Sequence, residues 1–297
     1  MTRRSADLPN DDWHRIEERR PTGATARREP ETGASGAEDD DWAPVVPLLG
    51  MQLHDVDLDG AVAAIFRAID GGRRGYVVTP NAQHVVLFRR DPVFRASCEG
   101  AALRLADGMS LVWASRFFGR PLPARVAGSD LLPAVCRVAA ARGKTIFLCG
   151  GRSGVAQQAA EALTRRYPGL RVAGTFTPAE RFHWVGEAGD DAVRAVRDAR
   201  PDVLFVGLGA PTQEAWVHEH WDQLHVPVAV CCGAALDYAA GTRRRAPGWM
   251  RRAGLEWFWR LAGEPRRLWR RYLVLNVVFL GICFTEWCRV RFRPGGR

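Results

Sequence analysis

One aspartate raises the first chemical question. In LRLADGMSLVW, residues 103–113, seven of eleven residues are apolar, and Asp107 stands among them beside Gly108. A carboxylate in apolar surroundings is costly unless a partner or a reaction uses it. The pattern alone leaves two roles open for Asp107: a helix cap followed by a permissive glycine, or a general base. Other polar residues recur in the same setting, directly after short apolar runs. Thr79 and Asn81 follow GYVV, Gly150 and Gly151 follow TIFLC, Gln213 and Glu214 follow VLFVGLGAPT, and Gly233 and Asp237 follow VAVCC. Each has a plainer reading when taken alone. Asn81 suits a helix cap, Gln213-Glu214 suits a helix dipole, and GGRSG (150–154) does not meet the GxGxxG dinucleotide pattern. His218 and His220 in HEHW are two apart on a helix, so they point to different faces, cannot chelate together, and read as surface residues.

The elements that must position these residues alternate along the chain. Apolar strand-like runs occupy 75–80, 102–107, 144–151, 170–176, 202–209 and 227–233. Helical patterns occupy 81–91, 108–119, 129–143 (capped by Ser129 or Asp130), 155–168, 186–199 and 211–224. Short buried strands alternating with helices predict an α/β, Rossmann-like, mostly parallel sheet with helices on both faces. Such sheets bind ligands at the carboxyl ends of their strands, where the polar residues stand. Glycines there let a backbone approach a ligand, and the following helix N-termini favour an anion. The expectation is one pocket built by several loops and suited to a phosphate-bearing ligand.

Composition divides the 297 residues into three parts. Residues 1–43 are rich in Arg, Asp, Glu, Gly, Thr and Pro and are predicted to be a disordered tail. Residues 44–242 are the α/β core. Residues 243–297 form a basic, Trp-rich appendage with fourteen Arg and three Glu, a net charge of +11 in a chain whose total is +9. Lys144 is the single lysine among 42 basic residues, a bias of codon usage rather than of binding chemistry. The seven cysteines are irregularly spaced with no CxxC pair, and they read as reduced core residues of a cytosolic protein. The N-terminus has no apolar signal-peptide core.

The order of motifs carries further information. TPNAQHV, ADGMSLVWASRFFG, RVAGSDLL, FLCGG, VGLGAPTQEAW and CCGAALDYAAGTRRRAPGWMRRAGLEWFWRLAGEPRRLWRR follow one another. The series resembles the WecG/TagA/CpsF family of bacterial glycosyltransferases over about residues 50–272. Its most specific parts are GLGAPTQE (207–214) and RAP…GLEWFWRL…EPRRLWRR (245–271). The resemblance implies transfer of a sugar, often N-acetylmannosamine, from a nucleotide-sugar donor to a sugar on a polyprenyl diphosphate, feeding surface-polysaccharide synthesis. It implies that Asp107 is the general base. Thr79 and Asn81 match the family's T-x-N, and Arg125, Ser129 and Asp130 match R-V-x-G-S-D. Gln213 and Glu214 match P-x-Q-E, and Asp237 matches the G…D before the basic tail. These would contact donor or acceptor. Arg243, Arg244 and Arg245 would face the diphosphate, since a transferase without a metal stabilises its leaving group with cations or helix N-termini. No DxD stands in the core where a metal would be expected, so no metal and no cofactor is expected.

The appendage bears on the membrane. WMRRAGLEWFWRLAGEPRRLWRRYL interleaves Arg with Trp249, Trp257, Trp259 and Trp269, a pairing suited to lipid headgroups. The apolar run YLVLNVVFLGICF (272–284) is shorter than the roughly 20 residues of a spanning helix. It predicts a monotopic helix in the inner leaflet and a peripheral enzyme at the cytoplasmic face of the plasma membrane. The plainer alternative is an amphipathic helix packed on the core or on a second copy, so a homo-oligomer is left open. Two other classes compete. A nucleotide-binding oxidoreductase needs a GxGxxG after the first strand, which is missing. A nucleic-acid-binding module would use the Arg/Trp tail with steep salt dependence and no need for lipid, and no nucleic-acid partner is expected.

Overall fold

The computed structural model describes residues 42–178, 186–263 and 265–292. The tail expected over 1–43 therefore lies outside the described residues except at its end. There Trp42 and Ala43 are buried in the core, the Trp42 ring packing against Gly75. The fold thus begins slightly earlier than composition indicated, because one large aromatic finds a seat beside the sheet.

The first elements among the described residues form an antiparallel hairpin, β1 (Val45–Leu48) and β2 (Met51–His54), that sequence patterning did not pick out. Pro47 interrupts the strand signal, and a proline is tolerated on so short an edge. Helix α1 (Leu58–Asp70) leads to β3 (Gly75–Val78), then α2 (Ala82–Arg90), α3 (Pro92–Glu99), β4 (Leu103–Arg104) and α4 (Met109–Phe117). Helix α5 (Gly128–Arg142), β5 (Thr145–Gly150), α6 (Val155–Arg166), β6 (Arg171–Phe176), α7 (Glu187–Ala199) and β7 (Val203–Gly207) follow. The core ends with α8 (Thr212–Glu219), α9 (Trp221–Leu224), β8 (Val228–Cys231) and α10 (Ala235–Ala239). The C-terminal segment holds α11 (Gly248–Arg252), α12 (Glu256–Gly263) and α13 (Pro265–Arg291).

Six strands form one parallel sheet in the order β4-β3-β8-β7-β5-β6. Strand alternation sorts their side chains onto two faces. On one face Val77, Ile146, Leu148, Val203, Phe205, Val228 and Val230 pack with α1, α5, α6 and α10. On the other, Val78, Phe147, Cys149, Leu204, Val206, Ala229 and Cys231 pack with α7, α8 and α9. A third cluster joins the hairpin to α2, α3, α4 and α13. Five of the cysteines are buried, and all seven are free thiols.

Several boundaries differ from the sequence reading, each for a local reason. The run 102–107 is a strand only at Leu103–Arg104. Beyond it the backbone still follows β3, Leu105 N–H donating to Val78 and Asp107 N–H to Pro80. Helix α5 starts at Gly128 with Ala127 as its cap, so Ser129 and Asp130 lie in its first turn rather than capping it. Gly128 is needed there, because a Cβ would sit 2.9 Å from the Cα of Cys232, just after β8. The helix expected over 211–224 breaks at His220, which is buried with its ring against Trp216. His218 is partly buried too, its Nδ1 3.0 Å from the Tyr76 hydroxyl. Neither histidine is the surface residue expected.

Helix α13 contains the apolar run but does not stand free of the core. Phe279 is buried, and Leu275, Val278, Ile282 and Cys283 pack beside it against the third cluster. An Arg89–Glu286 ion pair at 3.6 Å fastens the helix to α2. The opposite side exposes Val274, Val277, Leu280, Phe284 and Trp287. Among the described residues no helix is long and apolar enough to cross a membrane.

Candidate active site

Asp107 follows β4 at the carboxyl edge of the sheet. Gly108, at φ 145°, is the N-cap residue of α4, and no side chain caps that helix. The capping role left open for Asp107 is therefore not the one it takes. Its side chain is 28% exposed. Burial raises its pKa from 3.8 to about 6, with Arg125 and Arg260 pulling it down, Glu256 pushing it up and His84 lowering it slightly. Arg125 Nη1 is 3.8 Å from Asp107 Oδ1, an ion pair too long for a hydrogen bond. Such a carboxylate is ionised at neutral pH but is a better base than an ordinary aspartate.

Beside it stands a lattice of arginines and acids contributed by core and C-terminal segment alike. Arg125 donates through Nη2 to Asp130 Oδ2 at 2.9 Å and through Nη1 to Glu256 Oε2 at 3.0 Å. Arg245 grips Asp130 with both terminal nitrogens, at 2.7 and 2.8 Å, and also donates to the Ser129 carbonyl. Arg251 stands 3.6 Å from Asp130, and Arg260 stands 3.5 Å from Glu256. The Tyr238 ring lies under both the Arg245 and Arg260 guanidinium groups, at 6.0 and 5.6 Å. Burial works against ionisation of Asp130, but the Arg245 hydrogen bonds and the charges of Arg245, Arg125 and Arg251 outweigh it and hold the carboxyl below its ordinary range. Gly254 lets the C-terminal segment lie on α4: it has φ 70°, and a Cβ there would come within 2.7 Å of Trp113.

The other edge of the site is made by backbone-anchored amides. Asn81 caps α2, its Oδ1 accepting from the N–H groups of Gln83 and His84. That cap occupies Oδ1 and leaves the Nδ2 amide as a donor. The Thr79 hydroxyl donates to the Cys231 carbonyl, bracing β3 to β8. Gln213 is buried, accepts from Gly233 N–H at 3.1 Å and donates to Glu214 at 2.7 Å. Glu214 is fully buried, with His84 Nε2 3.5 Å away. Asp237 stands 3.7 Å from Arg243. Arg244 is exposed at its side chain, while its carbonyl accepts from the Trp259 indole.

The sequence profile described as the glycosyl transferase WecG/TagA/CpsF family matches residues 46–293. The chain belongs to this family of glycosyltransferases. It is 31% identical over 230 residues to a protein of Bacillus spizizenii (strain ATCC 23059 / NRRL B-14472 / W23), covering 76% of this chain and 86% of that one. It is 33% identical over 192 residues to a protein of Bacillus subtilis (strain 168), covering 64% and 72%. It is 28% identical over 227 residues to one of Staphylococcus aureus (strain MW2), covering 76% and 87%. All three carry the name N-acetylglucosaminyldiphosphoundecaprenol N-acetyl-beta-D-mannosaminyltransferase.

In this glycosyltransferase, Asp107, Arg125, Asp130 and Arg245 come together, with the Ser129 carbonyl beside them. Gln213 and Glu214 join through His84, which lies within electrostatic reach of Asp107. Thr79 serves the sheet and Asn81 the start of α2. Arg243 pairs with Asp237, and the Arg244 carbonyl accepts from the Trp259 indole. Sequence reasoning did not single out His84, Tyr238, Arg251, Glu256 or Arg260. The Glu256/Arg260 pair had a signal, an i,i+4 spacing inside the most specific motif. His84 had none, since a buried histidine on an apolar helix face looks like core.

Proposed function

We propose that the enzyme transfers a hexose-type sugar, N-acetylmannosamine or another hexose or uronic acid, from a nucleotide diphosphate to a polyprenyl-diphosphate-linked sugar, inverting the anomeric centre and needing no metal. The names of the relatives support the donor and acceptor classes. The observation that carries the chemistry is Asp107: a carboxylate with its pKa raised to about 6, not committed to a helix cap, beside a cluster of arginines. In this reading Asp107 takes the proton of the acceptor hydroxyl as its oxygen attacks the anomeric carbon. The bond from that carbon to the diphosphate oxygen breaks on the opposite face, and the electron pair leaves with the diphosphate. Arg125, Arg245, Arg251 and Arg260 are the cations around Asp107 and Asp130 that can balance the charge gathering there, with Arg243 and Arg244 further out. Asn81 and Gln213 supply fixed amides for sugar or nucleotide hydroxyls, and Thr79, Glu214 and Asp237 hold that frame.

The same reading puts the enzyme at the cytoplasmic face of the membrane as a peripheral protein. Exposed Trp113 and Phe117 on α4, Trp249 on α11, Trp257 and Phe258 on α12, and the outer side of α13 support it. A surface helix normally turns a polar side to water, and α13 turns an apolar one. The test is transfer of radiolabelled sugar from nucleotide donors to a polyprenyl-diphosphate-sugar, wild type against Asp107→Asn. Product with wild type and its loss in the variant are expected. Equal rates would remove Asp107 from the reaction.

A further inference from the structure

We infer that Glu256, from the C-terminal segment, is a positioning residue that holds the Arg125 guanidinium off Asp107 and so keeps the base free to accept a proton. The inference rests on the reading of Asp107 as the base and adds a second carboxylate to it.

Arg125 faces three acids. Its Nη2 is committed to Asp130 at 2.9 Å. Its Nη1 lies between two carboxylates, 3.0 Å from Glu256 Oε2 and 3.8 Å from Asp107 Oδ1. The hydrogen bond goes to Glu256, and the longer approach to Asp107 is an ion pair without one. Glu256 is not an ordinary first-turn acid serving its own helix dipole. It is 15% exposed, reaches residue 125 on the core, and is itself held by Arg260 from the next turn of α12. An arginine in a close, charge-assisted bond with a carboxylate stabilises the ionised form and weakens it as a base. Glu256 prevents that bond by competing for the same nitrogen, and its negative charge acts on Asp107 in the same direction. The other titratable groups facing Asp107 are Arg260 on α12, His84 on α2 and Arg245 after α10. None of the three is a carboxylate, so none of them competes for Arg125 Nη1. Because Glu256 rides on α12, the strength of the base depends on α12 being seated against the core.

The experiment compares wild type, Glu256→Gln and Glu256→Asp by the pH dependence of kcat/KM for sugar transfer. The full chain is used, with nucleotide-sugar donor and a polyprenyl-diphosphate-sugar acceptor. Glu256→Gln removes the charge that holds Arg125, so Nη1 moves to Asp107. The acid limb is expected to shift by at least about half a pH unit to lower pH, with a fall of roughly threefold to tenfold in the plateau rate. Glu256→Asp keeps the charge and restores part of both. Titration of the Asp107 carboxyl carbon by NMR in aspartate-labelled protein, assigned with Asp107→Asn, reads the same shift without turnover, so an inactive variant still answers. A limb and a titration that stay in place, or move up, overturn the role of Glu256 and leave it as an anchor for α12. Full activity in Asp107→Asn overturns the base reading instead, and the two failures are therefore distinct.

Discussion

Asp107 and Asp130 share one arginine, whose charge lowers both carboxyls, yet the rest of their surroundings drives them in opposite directions. Asp130 takes a 2.9 Å bond from Arg125, a two-pronged grip from Arg245 and the nearby charge of Arg251, and its carboxyl is held below the usual range. Asp107 receives Arg125 only at 3.8 Å, and burial pushes it up to about 6. The exposures of the two side chains are similar, 28% and 25%, and burial raises both carboxyls. In Asp130 hydrogen bonding to the charged form outweighs burial, and in Asp107 no such bond from Arg125 opposes it. One aspartate is consumed by the architecture, tying the start of α5 to the segment after α10, and the other keeps its basicity. The first holds the site together and the second is available for chemistry.

The largest expected effect tests that division directly. Asp107→Asn is isosteric and removes only the proton acceptor, so the transfer rate should fall by roughly 10²- to 10⁴-fold in a saturating assay. Folding should not suffer, since the variant removes a buried charge that takes no hydrogen bond from Arg125. Asp130→Asn should do the reverse. It strips a partly buried carboxylate from three arginines and should cost about 2–3 kcal/mol, lowering Tm by several degrees in a calorimetric scan. A Tm that drops more for Asp107→Asn than for Asp130→Asn would break the comparison.

A subtler test uses pH. Asp107 binds its proton more tightly in the folded chain than in the unfolded one, where its pKa is the ordinary 3.8. Its contribution to stability is therefore fully present below that unfolded value and is lost as pH rises through about 6. By pH ~7.5 the folded protein should carry a penalty of about 2–3 kcal/mol at most from this one group. The Tm advantage of Asp107→Asn over wild type should accordingly be largest near pH ~7.5 and shrink as pH falls below about 6. Asp130 contributes with the opposite sign: its stabilisation is present above the unfolded carboxylate value and lost as pH falls through its depressed folded one. A Tm difference for Asp107→Asn that grows on acidification would mean that its carboxyl is not raised.

Much of the frame was legible in the sequence, and the reasons are physical. Six apolar runs separated by helical patterns can hardly do other than form a parallel sheet, and each run is a strand, although 102–107 is cut to two residues. Asn81 was readable as a cap because a side-chain oxygen before a helix has one dominant use, and it does accept from Gln83 and His84. Asp107 was not decidable from pattern, since cap and base look alike in a line of letters and only the direction of the side chain separates them. The lattice was half legible. Arg245 and Asp130 lie 115 residues apart and Arg125 and Glu256 131 apart, and no local rule pairs residues at that distance. The surface reading of His220 failed because a polar residue at a helix break can be drawn inward by an aromatic neighbour, here Trp216. The hairpin at Val45–His54 was hidden by Pro47 and by strands of only four residues.

The smallest expected effect concerns a second pair of regions, the two sides of α13. Its inner side is committed to the core through Phe279 and its neighbours, as Asp130 is committed to the arginines. Its outer side and Phe117 of α4 have no such use: Phe117 is 65% exposed and Leu280 65%. Single exposed apolar residues need no explanation, but several helices of the C-terminal segment and α4 all contributing them do. Phe117→Ser with Leu280→Ser should leave Tm within about 1 kcal/mol equivalent of wild type, since little buried area is lost. Flotation with vesicles containing anionic lipid should fall severalfold, and transfer to a soluble short-chain acceptor should be unchanged. Loss of transfer to the soluble acceptor, with flotation intact, would assign this face to the active site rather than to lipid. Phe279→Ala serves as the contrast, because it opens a cavity on the inner side: it should lower Tm by an amount equivalent to about 3 kcal/mol. If the inner and outer substitutions lowered Tm equally, the outer side would be covered in solution, and a second copy of the chain would replace the membrane as its partner.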